Sequence, residues 1–178
     1  MVQMTVRPIV ALGNPVLRNT ARKVSRFDDA IRTLVQDMIQ TMRDAPGVGL
    51  AAPQIGVPLQ IAVVEAEEGQ VHVLVNPEIV DAEGEHVLDE GCLSVPGYWG
   101  KVRRAEKVTV TARDAHGKEI RISAAEGLLG QALQHEIDHL NGMVYVDRLD
   151  SLDELQRTAR RPHRRSSDEQ PAAPVQPE

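Results

Sequence analysis

The chain has 178 residues, of which 42% are hydrophobic and 26% are charged, with a formal net charge of −6. This length predicts a single globular domain with a substantial core, and the negative charge argues against nonspecific binding to DNA. No apolar run approaches the roughly 20 residues that a membrane span needs, so we expect no membrane partner. We also expect no secretory signal or organellar transit segment. The single cysteine, Cys92, fits a reducing, cytoplasmic location.

The first clear periodicity runs from Phe27 to Asp44, where apolar residues recur every three or four positions. This spacing predicts an amphipathic helix that packs one face against the core. Asp28 and Asp29 lie at its N-terminal end, where the positive end of the helix dipole favours carboxylates.

A glycine-rich stretch follows, from Gly47 to Gly56. Its small residues let the backbone approach another chain or a ligand closely. It lacks the Gly-Lys-Ser/Thr ending of a phosphate-binding loop, and taken alone it is more typical of a tight turn. Gln54 is the one polar side chain in the stretch, so we expect it to donate a functional hydrogen bond.

Several hairpins are predicted for the middle of the chain, because β-branched runs alternate with turn residues there. The predicted strands and hairpins are Leu59–Val64 with Val71–Val75, ended by Asn76-Pro77; Glu78–Leu88, turning at Glu83-Gly84; and Lys107–Arg113 with Lys118–Ser123, turning at His116-Gly117. Glu90–Gly97 is predicted to be a loop. Within it, Cys92 is open to three interpretations: a nucleophile, a thiolate metal ligand or a small buried hydrophobe.

The run from Leu128 to Leu140 predicts a second helix, rich in Leu and Ala. His135 and His139 share one face of it, about 6 Å apart along the axis. Two imidazoles so placed can bind one metal ion, with Glu136 beside them as a proton carrier. The plain alternative is that all three are ordinary surface residues. If they are buried on an apolar face, however, they need partners, and a metal ion supplies them.

Together these elements predict an α+β fold, in which antiparallel sheets of hairpins pack around a central C-terminal metal-binding helix, with an N-terminal helix. Residues 1–150 form the predicted catalytic domain. Ser151–Thr158 is predicted to extend as a short helix, and the basic and then Pro-, Ala- and Gln-rich remainder, to residue 178, as a disordered tail. Contact of the basic run with RNA is the alternative interpretation of that segment.

Three stretches stand out together. They are Gly47-Val48-Gly49-Leu50-Ala51-Ala52-Pro53-Gln54, Glu90-Gly91-Cys92-Leu93-Ser94, and Gln134-His135-Glu136-Ile137-Asp138-His139. In this order and at these separations they resemble the three signature motifs of the peptide deformylases of bacterial type. The resemblance covers the chain from about Arg7 to Asp150. It implies hydrolysis of the N-formyl group from N-formylmethionyl peptides, with release of formate.

The resemblance also implies a metal site. Cys92, His135 and His139 are its expected protein ligands, with a fourth position left open for water, as a catalytic metal needs. The expected cofactor is one divalent ion, usually ferrous iron (Fe2+), for which Zn2+ or Ni2+ can substitute. Glu136 is the expected general base, which takes a proton from the water and passes it to the leaving amine.

Further roles follow from the same resemblance. The backbone N–H of Leu93 and the side-chain amide of Gln54 are expected to hold the developing oxyanion. The resemblance also suggests an ion pair between Glu90, just before the cysteine motif, and the downstream Arg104. The residues expected to bind the methionine side chain and the peptide backbone are Val48, Gly49, Leu88, Gly91, Leu128 and Ala132.

Two departures from the family pattern bear on partners. Tyr98 and Trp99 stand where some relatives carry a basic residue that contacts the peptide backbone. Some bacterial relatives dock on the ribosome through a C-terminal helix, which the prolines of this tail would interrupt. The ribosome therefore stays an open partner at this point.

Two rival functions use the same histidines. A metalloendopeptidase takes its third ligand downstream of the helix, and the candidates are Asp147, Asp150 and His163. A noncatalytic, metal-stabilised binding domain would instead close the metal shell with a fourth protein ligand. The position of Cys92 relative to the histidine pair distinguishes these possibilities.

Overall fold

The protein is described by a computed structural model, which covers residues 5–158. This part of the chain contains two α-helices, α1 (Asp29–Asp44) and α2 (Gly127–Leu140). Its strands are β1 (Gly49–Ala51), β2 (Ile61–Glu67), β3 (Gln70–Glu83), β4 (His86–Cys92), β5 (Val95–Arg104), β6 (Lys107–Arg113), β7 (Glu119–Ala125) and β8 (Gln156–Arg157). None of its helices combines the length and the apolar character needed to span a bilayer.

The strands form two sheets. A five-stranded sheet has the order β1-β2-β3-β6-β7, and a three-stranded sheet has the order β4-β5-β8. Every pair of neighbouring strands is antiparallel, and α2 packs against β1, β2 and β6 of the larger sheet. The predicted α+β fold around a central helix is therefore confirmed. The hairpins predicted between Leu59 and Val75 and between Lys107 and Ser123 are confirmed as β2–β3 and β6–β7.

Helix α1 begins two residues after the predicted start at Phe27, because Asp28 caps it. The Asp28 side chain accepts a hydrogen bond from the backbone N–H of Ile31, which satisfies one of the free donors of the first turn. The apolar stripe of the helix faces the core, where its fully buried members are Val35, Met38 and Met42.

Helix α2 is buried almost throughout from Ala132 to Leu140. Gln134 ties it to the β5–β6 connection, donating to the carbonyl of Ala105 at 3.1 Å and accepting from its N–H at 3.0 Å. Gly130 allows the close approach of the preceding segment, since a Cβ there would lie 2.6 Å from the carbonyl oxygen of Ala125. A helix in this position carries its polar residues into the core.

Two predictions about the third strand are wrong. Strand β3 does not end at Asn76-Pro77 but continues to Glu83 through an irregularity, where Asn76 has a φ of 52°. The Asn76 side chain bonds to both the N–H and the carbonyl of Val24, and this distant contact holds the strand together at the break. The predicted hairpin Glu78–Leu88 does not form, because β3 and β4 belong to different sheets.

The predicted loop Glu90–Gly97 is also wrong, since most of it is a hairpin. Strands β4 and β5 pair closely enough to place Cys92 opposite Val95, with the chain reversing at Leu93 and Ser94. Only two residues separate the strands, so the sequence pattern does not distinguish this tight hairpin from a loop. Cys92 consequently lies at the end of a strand, where its position is fixed by the backbone ladder.

The segment after residue 150 differs from the predicted short helix. Ser151–Thr158 forms one 3-10 turn, Leu152–Glu154, followed by β8, which pairs with β5 through Tyr98 and Arg157. The segment thus pairs with β5 and becomes the third strand of the small sheet. The predicted disordered tail, residues 159–178, lies outside the described residues.

Candidate metal centre

Cys92, His135 and His139 bring three ligand atoms to one point. The Nε2 atom of His139 lies 3.2 Å from the Cys92 Sγ and 3.2 Å from the His135 Nε2. Within residues 5–158 this is the one group of three such ligands, and its atoms all lie within 4.8 Å of one another. Tetrahedral zinc, about 2.0 Å from nitrogen and 2.3 Å from sulfur, separates its ligands by about 3.3–3.6 Å. The spacing therefore fits a single metal ion.

The fold explains this convergence. Both histidines lie one turn apart on the buried face of α2, with their rings edge to face at 4.9 Å between centroids. The cysteine comes from the other sheet, at the end of β4. Its Sγ accepts hydrogen bonds from the backbone N–H of Ser94 and from the Gln54 amide, each at 3.4 Å. These two contacts hold the sulfur beside the histidine pair.

Glu90 orients the first histidine. Its Oε1 accepts a hydrogen bond from Nδ1 of His135, which leaves the Nε2 lone pair facing the ligand cluster. Arg104 forms the expected ion pair with Glu90, donating from Nε at 3.0 Å and from Nη2 at 2.6 Å. Burial alone would raise the pKa of Glu90, but the hydrogen bonds from His135 and Arg104 outweigh it and lower the pKa to about 2. Glu90 is therefore ionised at neutral pH.

The ion pairs continue beyond the predicted pair. Arg104 also donates from Nη1 to Asp138 at 2.6 Å, and Arg148 holds both Asp138 oxygens at 2.5 and 2.6 Å. The sequence interpretation missed Asp138 and Arg148. A signal for Asp138 did exist, because a carboxylate inside an otherwise apolar helix needs a cationic partner. Nothing in the sequence identified Arg148 as that partner.

Glu136 has a different environment. Its Oε2 is buried and has no hydrogen-bond partner among the described residues. Burial raises the pKa of Glu136 to about 7, although the nearby His135 opposes the shift. A Cβ on Gly49 would lie 2.4 Å from its Oε1, so a glycine is needed for the carboxylate to occupy this place. A carboxyl group with this pKa can accept and return a proton near neutral pH.

Gln54 is buried, and its orientation is fixed. Its Oε1 accepts a hydrogen bond from the backbone N–H of Ala51 at 2.8 Å, which turns the NH2 group towards Cys92 and Ser94. Gln54 was expected to donate a hydrogen bond, and its amide donor lies at the ligand cluster.

A cavity of about 670 Å³ opens above the cluster. Cys92, His135, Glu136 and Gln54 line it. It is also lined by the following residues from the predicted substrate and oxyanion sets: Val48, Gly49, Gly91, Leu93, Leu128 and Ala132. Leu88 is not among the lining residues, so its substrate role stays a prediction. The volume lies within the usual range for a ligand pocket.

The alternative third ligands lie elsewhere. Asp147 accepts hydrogen bonds from Arg18 at 2.5 Å and from the backbone N–H of Val144 at 2.8 Å. Asp150 lines a separate surface groove beside Arg148. His163 lies outside the described residues. Among residues 5–158, Cys92 is thus the residue that completes the site.

Fold and site together define a class of protein: a metallohydrolase with a Cys/His/His ligand set and an adjacent carboxyl group at the floor of a cavity. The family model described as Polypeptide deformylase matches residues 6–155. The chain therefore belongs to the polypeptide deformylase family, whose members remove the N-formyl group from new polypeptides.

Individual relatives agree with this assignment. A peptide deformylase of Dehalococcoides mccartyi (strain CBDB1) is 50% identical over 153 residues, covering 85% of this chain and 91% of the relative. The crystal structure of a peptide deformylase from Legionella pneumophila has a TM-score of 0.81 at 51% identity, covering 84% and 89% of the two chains. A peptide deformylase from Synechococcus elongatus, solved in complex with actinonin, has a TM-score of 0.79 at 42% identity, covering 86% of each.

Proposed function

We propose that this chain removes the formyl group from the N-terminal formylmethionine of new polypeptides and releases formate. One divalent metal ion would be held by Cys92, His135 and His139. The observation that carries the proposal is the convergence of these three ligand atoms, within 4.8 Å of one another, beside the buried Glu136 carboxyl. All four side chains lie at or below a cavity large enough for a peptide end.

Ferrous iron is the proposed metal. One thiolate and two imidazoles suit borderline divalent ions, so zinc and nickel are expected to bind the same site. When bound, such an ion supplies Lewis acidity, which makes a water molecule acidic enough to lose a proton near neutral pH.

Glu136 is the proposed proton carrier. Its carboxyl group takes a proton from the attacking water and delivers it to the amine that leaves. A pKa of about 7 and a free Oε2 among the described contacts support this role. The Gln54 amide and the Leu93 N–H are the proposed donors to the developing oxyanion.

The substrate is proposed to enter as an added strand. Strand β1 lies at the edge of the five-stranded sheet, pairing with β2 on one side. The backbone at Gly49 can therefore pair with an extended peptide on the other side, which is a common mode of peptide recognition. The methionine side chain would then occupy the apolar part of the cavity, beside Val48, Leu128 and Ala132.

Three further points belong to the proposal. Residues 1–150 form the proposed catalytic domain, and the segment after it contributes as well, because Thr158 lines the cavity. The proposed location is the cytoplasm, where formylated chains are made and a thiol ligand stays reduced. Docking on the ribosome stays a prediction, since residues 159–178 lie outside the described part.

The test is formate release from formyl-Met-Ala, using protein purified anaerobically with iron and, separately, its zinc form. The Cys92→Ser variant should lose bound metal and activity together. His139→Ala, which removes a second proposed ligand, should also lose both metal and activity. The matched control for the loss of a histidine is His116→Ala, in the exposed β6–β7 turn, which should retain both. Cleavage of internal peptide bonds without formate release, or full metal content in Cys92→Ser, would contradict the proposal.

A further inference from the structure

A line of charged side chains runs from the metal site to the protein surface. It begins at His135 and passes through Glu90, Arg104 and Asp138 to Arg148. We propose that Arg148 is a positioning residue for the metal ligand His135, acting from the surface end of this line. The proposal rests on the metal site described under the proposed function, but not on the identity of the substrate.

The geometry of the line is tight at each step. The Arg104 fork holds both oxygens of Glu90, and Glu90 in turn fixes the His135 ring. The third nitrogen of Arg104 is held by Asp138 at 2.6 Å. A guanidinium bound on both of its edges cannot rotate without breaking charge-assisted hydrogen bonds. The position of Asp138 therefore sets that of Arg104.

Arg148 fixes Asp138 in turn. It donates from Nε at 2.5 Å and from Nη2 at 2.6 Å, with one bond to each carboxylate oxygen of Asp138. Arg104, in contrast, donates a single bond to Asp138. The two arginines and the two carboxylates also balance in charge. Without Arg148, Asp138 and Glu90 would share one cation, and Asp138 would be free to draw Arg104 away from Glu90.

A second contact acts on the same histidine. Arg148 ends the 3-10 helix Tyr145–Arg148, whose first residue is buried. The Tyr145 ring lies almost parallel to the His135 ring, with 6.4 Å between centroids and 24° between planes. The bond from Arg148 to Asp138 thus connects this 3-10 turn, which packs Tyr145 against the face of His135, to helix α2. One arginine acts on the ring through its Nδ1 partner and through its stacking neighbour.

The outer end of the line can be changed without altering the buried residues at the metal site. The Arg148 side chain is 35% exposed, whereas that of Arg104 is 1% exposed. Arg148 and Asp138 do not line the cavity above the metal site, so neither is expected to touch substrate. Replacing Arg148 should therefore change metal retention and turnover while leaving substrate binding unchanged.

The experiment measures the rate at which a chelator removes zinc from Arg148→Met, together with kcat, KM and Tm. Loss of a direct outer-shell partner typically costs about 10–100-fold in metal affinity, and Arg148 lies three ion pairs beyond Glu90, so about a three- to tenfold faster loss is expected. KM should stay at the wild-type value while kcat falls. The matched control is Arg103→Met, which removes a guanidinium from the neighbouring exposed pair with Glu85.

The Arg148→Lys variant separates positioning from packing. Lysine keeps the charge but cannot hold both oxygens, so its zinc loss should be intermediate between wild type and Arg148→Met. A lower Tm with wild-type zinc loss in Arg148→Met would overturn the proposal, because that is the result of a merely structural role. If the methionine variant does not fold, wild-type zinc loss in Arg148→Lys would overturn it. Absence of deformylase activity in the wild type would refute the proposed function without affecting this test.

Discussion

Glu90 and Glu136 are two buried carboxyl groups beside His135, and their surroundings differ completely. Glu90 accepts hydrogen bonds from His135 and from Nε and Nη2 of Arg104, so its pKa is lowered to about 2. The Oε2 of Glu136 has no partner among the described residues, and burial raises its pKa to about 7. The same side chain is thus an anion at neutral pH in one place and a group that titrates near pH 7 in the other. Partner number, rather than burial, decides between the two roles.

The largest expected effect comes from Glu136→Gln. The amide keeps the shape but cannot carry a proton, so kcat should fall about 1,000-fold. Metal content should stay at the wild-type level, because Glu136 is not a ligand. Formate release and metal analysis on the same sample check this, with Glu119→Gln, an exposed carboxylate on β7, as the control. Turnover near the wild-type rate would mean that another group carries the proton.

The pH dependence of stability should have opposite signs at the two carboxyl groups in the metal-free protein. Glu90 ionises at about pH 2 when folded and near 4.5 when unfolded, so it contributes about 3 kcal/mol above pH 4.5, lost as the pH falls towards 2. Glu136 ionises near pH 7 when folded, so its charge costs about 3 kcal/mol above that pH and nothing below 4.5.

Denaturant titrations across this pH range check both signs. The stability advantage of Glu136→Gln over the wild type should grow as the pH rises from 4.5 to 7 and stay constant above 7. Glu90→Gln should be less stable than the wild type above pH 4.5 and lose that deficit as the pH falls. If the stability of the two variants changed with pH in the same direction, the two carboxyl groups would not differ in the way described here.

Gly49→Ala disturbs Glu136 without changing any functional side chain. The new Cβ would lie 2.4 Å from the Glu136 Oε1, so the carboxylate must move by about 1 Å. A displacement of that size should lower kcat about 100-fold. Steady-state kinetics and metal content check this, with thermal unfolding to show that the variant is folded. Unchanged kcat in a folded variant would show that Glu136 need not occupy this position.

Glu90→Gln has the smallest of these effects on function. The amide still occupies the place beside His135, but it loses the negative charge that fixes the ring and pairs with Arg104. The metal dissociation constant should rise about 30-fold. Competition with a chelator measures it, and Glu85→Gln, which removes the carboxylate of the exposed pair with Arg103, is the matched control. An unchanged dissociation constant would confine Glu90 to a stabilising role.

Much of the fold could be predicted from local pattern. The periodicity of α1 and α2 and the alternation in β6 and β7 depend on neighbouring residues, and those elements were confirmed. The continuation of β3 past Asn76 and the addition of β8 depend on partners far along the chain. No local pattern contains that information.

The candidate site divides in the same way. The two histidines and Glu136 are close in sequence, and their helical spacing indicated a metal on its own. The place of Cys92 came from the family resemblance, because spacing alone left three interpretations open. Arg148 was missed because its bond to Asp138 depends on how a 3-10 turn packs after the helix.

X-ray absorption at the metal edge of the zinc-loaded protein tests the central claim most directly. The account predicts one sulfur neighbour at about 2.3 Å and two imidazole nitrogens at about 2.0 Å. A zinc shell of nitrogen and oxygen alone in the wild type would contradict it.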